Sequence, residues 1–179
     1  MLRPALSLFA RALLAGDFAP VRARIRKHLG ARGRRTLDLA CGPGLFADVF
    51  AGEDYVGLDR DPRSVAWARR ARPGAFLVAA PQRIDLPDGR FDQVLAFGVL
   101  EILTDAEIGA LLPELRRLVG ASGRILFIAE VPRPAPMGRV LPGPRPIRTP
   151  DTLRRMLGTA VESFRSGQRL YGSALVEWS

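Results

Sequence analysis

One stretch limits the fold more than any other: Leu37-Asp38-Leu39-Ala40-Cys41-Gly42-Pro43-Gly44, an apolar run that enters a turn with two glycines. Glycine lets a backbone turn tightly and lets a ligand approach the main chain with no side chain between them. A second apolar run, Tyr55 to Asp59, ends on a carboxylate 15 residues beyond Gly44. A carboxylate at that place accepts hydrogen bonds from both hydroxyls of a ribose. A glycine turn after one strand and an acid ending the next is the pattern of nucleoside-cofactor recognition in a doubly wound sheet. The turn lacks a third glycine in the GxGxxG register, and no Gly-Lys-Ser/Thr follows. Neither a dinucleotide fingerprint nor a phosphate loop is therefore indicated.

From Thr36 onward, short apolar runs alternate with helical stretches. The strands predicted are 36–40, 55–59, 75–79, 91–97 and 124–130, with a terminal pair at 161–166 and 173–179 joined around Gly167 and Gly172. Helices are predicted over 45–51, after Asp61-Pro62, after the capping-box pattern Thr104-Asp105-Ala106-Glu107, and over 151–158. Pro113 inside the third of these predicts a kink or two short helices. Uniformly apolar strands separated by helices imply parallel pairing with both faces of the sheet covered. Before this region, Leu2, Leu6, Phe9 and Leu13 give residues 4–15 an amphipathic stripe, and Val21, Ile25 and Leu29 mark a second helix. Residues 131–150 hold seven prolines, which predicts an extended loop.

With the pattern in view, LDLACGPG, YVGLDRDPRSVAWAR, LPDGRFDQVLAFGVLEIL and LRRLVGASGRILFIAE together resemble the class I S-adenosylmethionine-dependent methyltransferases over about residues 34–130. The resemblance implies an α/β, Rossmann-like three-layer sandwich with a seven-stranded, mostly parallel sheet whose last strand is antiparallel. It implies S-adenosylmethionine as cofactor and S-adenosylhomocysteine as product. By it, Asp38, Ala40, Gly42 and Gly44 line the methionine part, Asp59 holds the ribose, Arg60 flanks the adenine, and Phe97 and Gly98 lie near the sulfonium. One departure stands out. Where the family often has Gly-Asp-Ala, this chain has Ala79-Ala80-Pro81. Ala80 accepts no bond from the adenine amino group and Pro81 donates none, so Gln82 is the substitute candidate.

The expected organisation is a single domain over 1–179. Residues 1–33 form a helical arm or lid, 34–130 the cofactor core, 131–150 a Pro/Arg-rich loop, and 151–179 a helix and strand pair. Transfer from a sulfonium chiefly requires proximity and orientation. A base is needed only when the acceptor loses a proton, and the candidates are Glu101 and Glu130. Net charge is +9, concentrated in residues 1–35 with nine basic groups to one acid and in 131–150 with four to none. That asymmetry suggests an anionic or amphiphilic acceptor, with Arg133, Arg139, Arg145 and Arg148 as substrate candidates. Two alternatives stay open: an RNA methyltransferase using the basic arm, and a non-catalytic cofactor-binding or interaction protein of the same fold. The exit of the fourth strand, Phe-Gly-Val-Leu-Glu, lacks the Asn/Asp-Pro-Pro-Tyr/Phe sequence of enzymes that methylate base or glutamine amide nitrogens, which favours a small-molecule or lipid acceptor. Cys41 reads as a small buried loop residue rather than a nucleophile, and His28 as a surface group. No metal is expected, because one His and one Cys do not make a zinc site. No transmembrane segment or secretory signal is evident, so a cytoplasmic location is expected, with a peripheral membrane contact through the N-terminal helix as an alternative.

Overall fold

The strand order reverses at the glycine turn. The computed structural model describes residues 17–30, 34–50, 54–81, 84–132 and 148–177. Seven strands form one sheet: β1 (Arg35–Leu39), β2 (Asp54–Asp59), β3 (Ala75–Val78), β4 (Gln93–Phe97), β5 (Arg124–Glu130), β6 (Val161–Ser166) and β7 (Arg169–Glu177). Their order is β3-β2-β1-β4-β5-β7-β6. The pairs β1–β2, β1–β4, β2–β3 and β4–β5 are parallel, whereas β7 runs antiparallel to both β5 and β6. Chain order therefore diverges between β1 and β4, and the crevice above their carboxyl ends is where open α/β sheets bind ligands.

Among the described residues four helices accompany the sheet: α1 (Ala19–Leu29), α2 (Pro62–Ala71), α3 (Asp105–Val119) and α4 (Pro150–Leu157). Their starts follow from capping chemistry. Asp61 accepts from the amides of Arg63 and Ser64 ahead of Pro62. Thr104 and Glu107 form a reciprocal capping box, and Thr149 caps α4 ahead of Pro150. Each such cap contributes about 1 kcal/mol.

Alternate residues of the central strands feed two cores, which is why these strands are apolar throughout. Val94 and Ala96 of β4 join Ile108, Leu111 and Leu115 of α3 on one face. Leu95 joins Val21, Ile25 and Leu29 of α1 and Val65 of α2 on the other.

Several expectations need correction. The helix expected over 45–51 is not an α-helix over 45–50, and residue 51 lies outside the described residues. After Gly44, at φ 68°, the chain makes turns and a short 3₁₀ segment, Ala47–Phe50, closed by Ala47 N–H to Gly44 O and Val49 N–H to Phe46 O. Phe46, Ala47 and Phe50 are all buried, so packing rather than a helical ladder sets this segment. Pro113 does not break α3, which runs unbroken over 15 residues. Pro113 and Gly109 both face solvent, so water can take the carbonyl bond that proline cannot make. Meanwhile Ile108, Leu111, Leu115 and Leu118 hold both halves on one core. Gly172 is not in a turn either. It lies within β7, where an added Cβ would come to 2.9 Å from Val161 and 3.0 Å from Val131. The stripe at residues 4–15 and loop positions 133–147 lie outside the described residues.

Candidate functional site

The turn after β1 departs from ordinary backbone. Ala40, Gly42 and Gly44 all have left-handed φ, at 57°, 54° and 68°. For Ala40 that conformation costs about 1 kcal/mol or more. The turn is held by its neighbours: Cys41 N–H donates to Leu58 O, and Gly44 N–H to Cys41 O. The two glycines then play different parts. A Cβ at Gly42 would meet nothing within 4 Å, whereas one at Gly44 would come within 3.0 Å of Arg72 and Phe76. Gly42 leaves open backbone, and Gly44 permits close packing.

Asp59 stands at the end of β2 beside that turn. Its Oδ2 accepts from Gly42 N–H at 2.7 Å, and its Oδ1 from Asp61 N–H at 2.8 Å. A carboxylate has about four lone-pair sites, so acceptor capacity remains for ribose hydroxyls. Arg60, next in the chain, is exposed. On the outer side of this end, Ala79 N–H donates to Asp59 O. Ala80 is exposed and Pro81 buried, while Gln82 lies outside the described residues.

Asp38 is 1% exposed, on the α1–α2 face of β1. It accepts from the Tyr55 hydroxyl at 2.7 Å. Burial pushes its carboxyl up to about 7; the Tyr55 hydrogen bond works against that shift, and the nearby charge of Asp59 adds to it. Burial likewise drives the Cys41 thiol far up, with Asp38 and Asp59 reinforcing the effect. A thiol held neutral in this way is no nucleophile.

At the end of β4, Gly98 also has left-handed φ, 71°, and faces open space. Phe97 belongs to a triad of mutually edge-on rings: Phe18–Phe97 at 5.7 Å, Phe18–Phe46 at 6.0 Å and Phe46–Phe97 at 5.0 Å. The start of α1, the glycine turn and the exit of β4 thus meet in one wall. Tyr171 of β7 continues it, 5.8 Å from Phe97. Beside the wall the two candidate acids come together. Glu101 Oε1 accepts from Glu130 N–H at 2.6 Å, and Glu130 Oε2 lies 3.2 Å from Arg169 Nη1.

Of the four substrate-candidate arginines, the structure describes Arg148. Arg133, Arg139 and Arg145 lie outside the described residues. Arg148 is 7% exposed, and its guanidinium is bonded to the protein: it donates to the carbonyls of Leu100 and Leu103 and to Asp105. The expected substrate contact is here a clamp that fixes the β4–α3 loop. Three basic groups of α1 are engaged as well. Arg22 binds Asp48 and Leu45 O, and Arg24 and Lys27 pair with Glu162. Sequence reasoning missed Tyr55, Phe18 and Phe46 as parts of the site. Their roles depend on strand register and ring packing, for which spacing along the chain gives no signal. Among the described residues there is no cluster of three or more metal-ligating side chains, and no helix is long and apolar enough to cross a membrane.

A strand order with β7 reversed, a glycine turn with open backbone and an acid at the end of the neighbouring strand define a fold of the methyltransferase type. The chain belongs to the methyltransferase domain family, whose match spans residues 37–127. S-adenosylmethionine is the cofactor. The open backbone at Gly42 and Gly98 and the spare acceptor capacity of Asp59 fit it. A ubiquinone biosynthesis O-methyltransferase of Rhodopseudomonas palustris is 33% identical over 108 residues, 56% of this chain and 41% of that protein. Such alignments span less than half the length of the curated relatives. Among solved structures, a protein of Pyrococcus horikoshii OT3 matches with a TM-score of 0.72 at 19% identity, over 97% of this chain and 92% of that one. Magnesium protoporphyrin IX methyltransferase of Synechocystis, with bound S-adenosylhomocysteine, matches at 0.69 and 17%, over 96% and 84%. These two likenesses establish the fold alone.

Proposed function

We propose that the chain transfers the methyl group of S-adenosylmethionine to a small-molecule or lipid-like acceptor. The observation that carries this reading is the pairing of Asp59 with the open Gly42 backbone at the switch point of the sheet. In this reading Asp38, Ala40, Gly42 and Gly44 line the methionine part, and Asp59 binds the ribose. Arg60, Ala80 and Gln82 border the adenine, and Phe97 and Gly98 border the reacting end. Once bound, the cofactor supplies a methyl group already activated for displacement. The chain's task is to align the acceptor and exclude water, and orientation alone is worth on the order of 7–11 kcal/mol.

The Phe18–Phe46–Phe97 wall supports an acceptor with an apolar face. In this reading Glu130 or Glu101 takes a proton from an acceptor hydroxyl, and Glu101 also holds the end of β5 through the Glu130 amide. An anionic acceptor is less well supported than the sequence suggested. Arg148 is bonded to protein acceptors, and among the described residues two carboxylates, Glu101 and Glu130, lie at this corner with the guanidinium of Arg169. The ion pairing of Arg22, Arg24 and Lys27 likewise reduces the charge available to RNA. The name of the Rhodopseudomonas relative, a ubiquinone biosynthesis O-methyltransferase, agrees with oxygen as the receiving atom.

The test is transfer of tritiated methyl from S-adenosylmethionine to a panel of neutral phenols, long-chain alcohols, fatty acids and RNA. Labelled neutral hydroxyl compounds are expected. Cofactor binding with no labelled product would overturn the reading in favour of a non-catalytic binding protein.

A further inference from the structure

We infer that Tyr55 is a positioning residue of the cofactor site, holding Asp38 so that cofactor binding is coupled to release of a proton. This rests on the cofactor reading above and adds a residue and a linkage to it. Tyr55 pairs in register with Thr36 on β1, two residues before Asp38, so both side chains rise from the same face of the sheet. Its hydroxyl donates to Asp38 Oδ2 at 2.7 Å, with Tyr55 3% and Asp38 1% exposed. The ring has little freedom, being stacked on Phe50 at 5.7 Å and edge-on to Phe76 at 5.8 Å. The hydroxyl is therefore delivered to the carboxyl by packing on both sides.

The groups bearing directly on this pair are acids and a thiol, the outermost of them, Asp48, being ion-paired with Arg22 of α1. Asp59 faces Asp38 from the end of β2. The Cys41 thiol lies in the turn above, and Asp48 of the 3₁₀ segment bears on Tyr55. A buried carboxyl with acidic neighbours retains its proton to higher pH, and here the midpoint is about 7. The cofactor brings an ammonium and a sulfonium, both cationic, to the turn that Asp38 underlies. Their arrival favours the ionised carboxylate, and the proton passes to the buffer. Donation from Tyr55 stabilises that ionised form, so it lowers the pH at which the site is ready to bind.

The experiment is calorimetric titration of S-adenosylhomocysteine, which carries the ammonium, into the whole chain. Two buffers of different ionisation enthalpy are used at each pH from 5.5 to 8.5. About half a proton should be released at pH 7, falling toward zero by about pH 8.5. Asp38→Asn should abolish the release. Tyr55→Phe should move its midpoint upward and weaken binding at pH 7 about fivefold. 3-Fluorotyrosine placed at position 55 alone, a stronger donor of nearly the same shape, should move the midpoint downward even if Tyr55→Phe does not fold. Tight binding with identical heats in both buffers at pH 7 would overturn the inference, as would a midpoint unmoved by fluorination. Absence of any binding would overturn the cofactor reading itself.

Discussion

The backbone N–H of Gly42 donates to Asp59 Oδ2 at 2.7 Å, tying the turn after β1 to the end of β2. The same carboxylate accepts from Asp61 N–H, the residue that caps α2. Asp59 is therefore structural before any ligand arrives. Asp59→Ala should lower stability by about 1–3 kcal/mol, the cost of two amides losing a charged acceptor. Asp59→Asn should cost less, because its amide oxygen still accepts one bond. Urea unfolding of the three proteins checks the order.

Arg148 and Asp105 make an ion pair with unequal partners: Arg148 is 7% exposed and Asp105 76%. Arg148→Met should cost about 2–4 kcal/mol, because the carbonyls of Leu100 and Leu103 lose their donor. Asp105→Ala should cost under about 1 kcal/mol, since an exposed carboxylate contributes little to such a pair. Equal losses in denaturant titrations would contradict the clamp described for the β4–α3 loop.

Much of this was legible in the sequence, for identifiable reasons. Uniformly apolar strands, the Asp61 and Thr104 caps and the Gly42–Asp59 spacing are local patterns whose physics acts within a few residues, or through one repeated topology. The clamp of Arg148 on Leu100 spans 48 residues, and the contact of Tyr55 with Asp38 depends on the register of β1 against β2. Neither leaves a local trace. Gly172 shows the opposite failure: a glycine required for side-chain packing inside a strand carries the same letter as one required for a turn.

The buried carboxyl of Asp38 sets a pH dependence of stability. Its folded midpoint, about 7, lies above the ordinary value near 3.9. The folded state therefore binds the proton more tightly than the unfolded chain does. That contribution is fully present below about pH 4 and is lost as pH rises through 7, in total on the order of 4 kcal/mol. Asp38→Asn should remove this slope and melt higher than the native protein at pH 8. Thermal unfolding from pH 5 to 8 reads both effects, and a native melting temperature that rises across that window in step with the variant's would contradict them.

Pro113 offers a stabilising change. It sits exposed in the middle of α3 and denies Gly109 O its helical donor. Pro113→Ala restores that bond and should add about 1–3 kcal/mol, reduced by the greater freedom of the unfolded chain. The variant should melt several degrees higher, because a helical donor replaces water at that carbonyl; an unchanged or lower melting temperature would contradict this.

The central claim, that the Gly42 turn and Asp59 form an S-adenosylmethionine site, is tested most directly by calorimetric titration of that cofactor into the native protein and Asp59→Ala. The account predicts micromolar binding by the native protein, weakened about 100-fold or more in the variant as the ribose hydroxyls lose a charged acceptor. No binding by the native protein, or equal affinity in the folded variant, would contradict it.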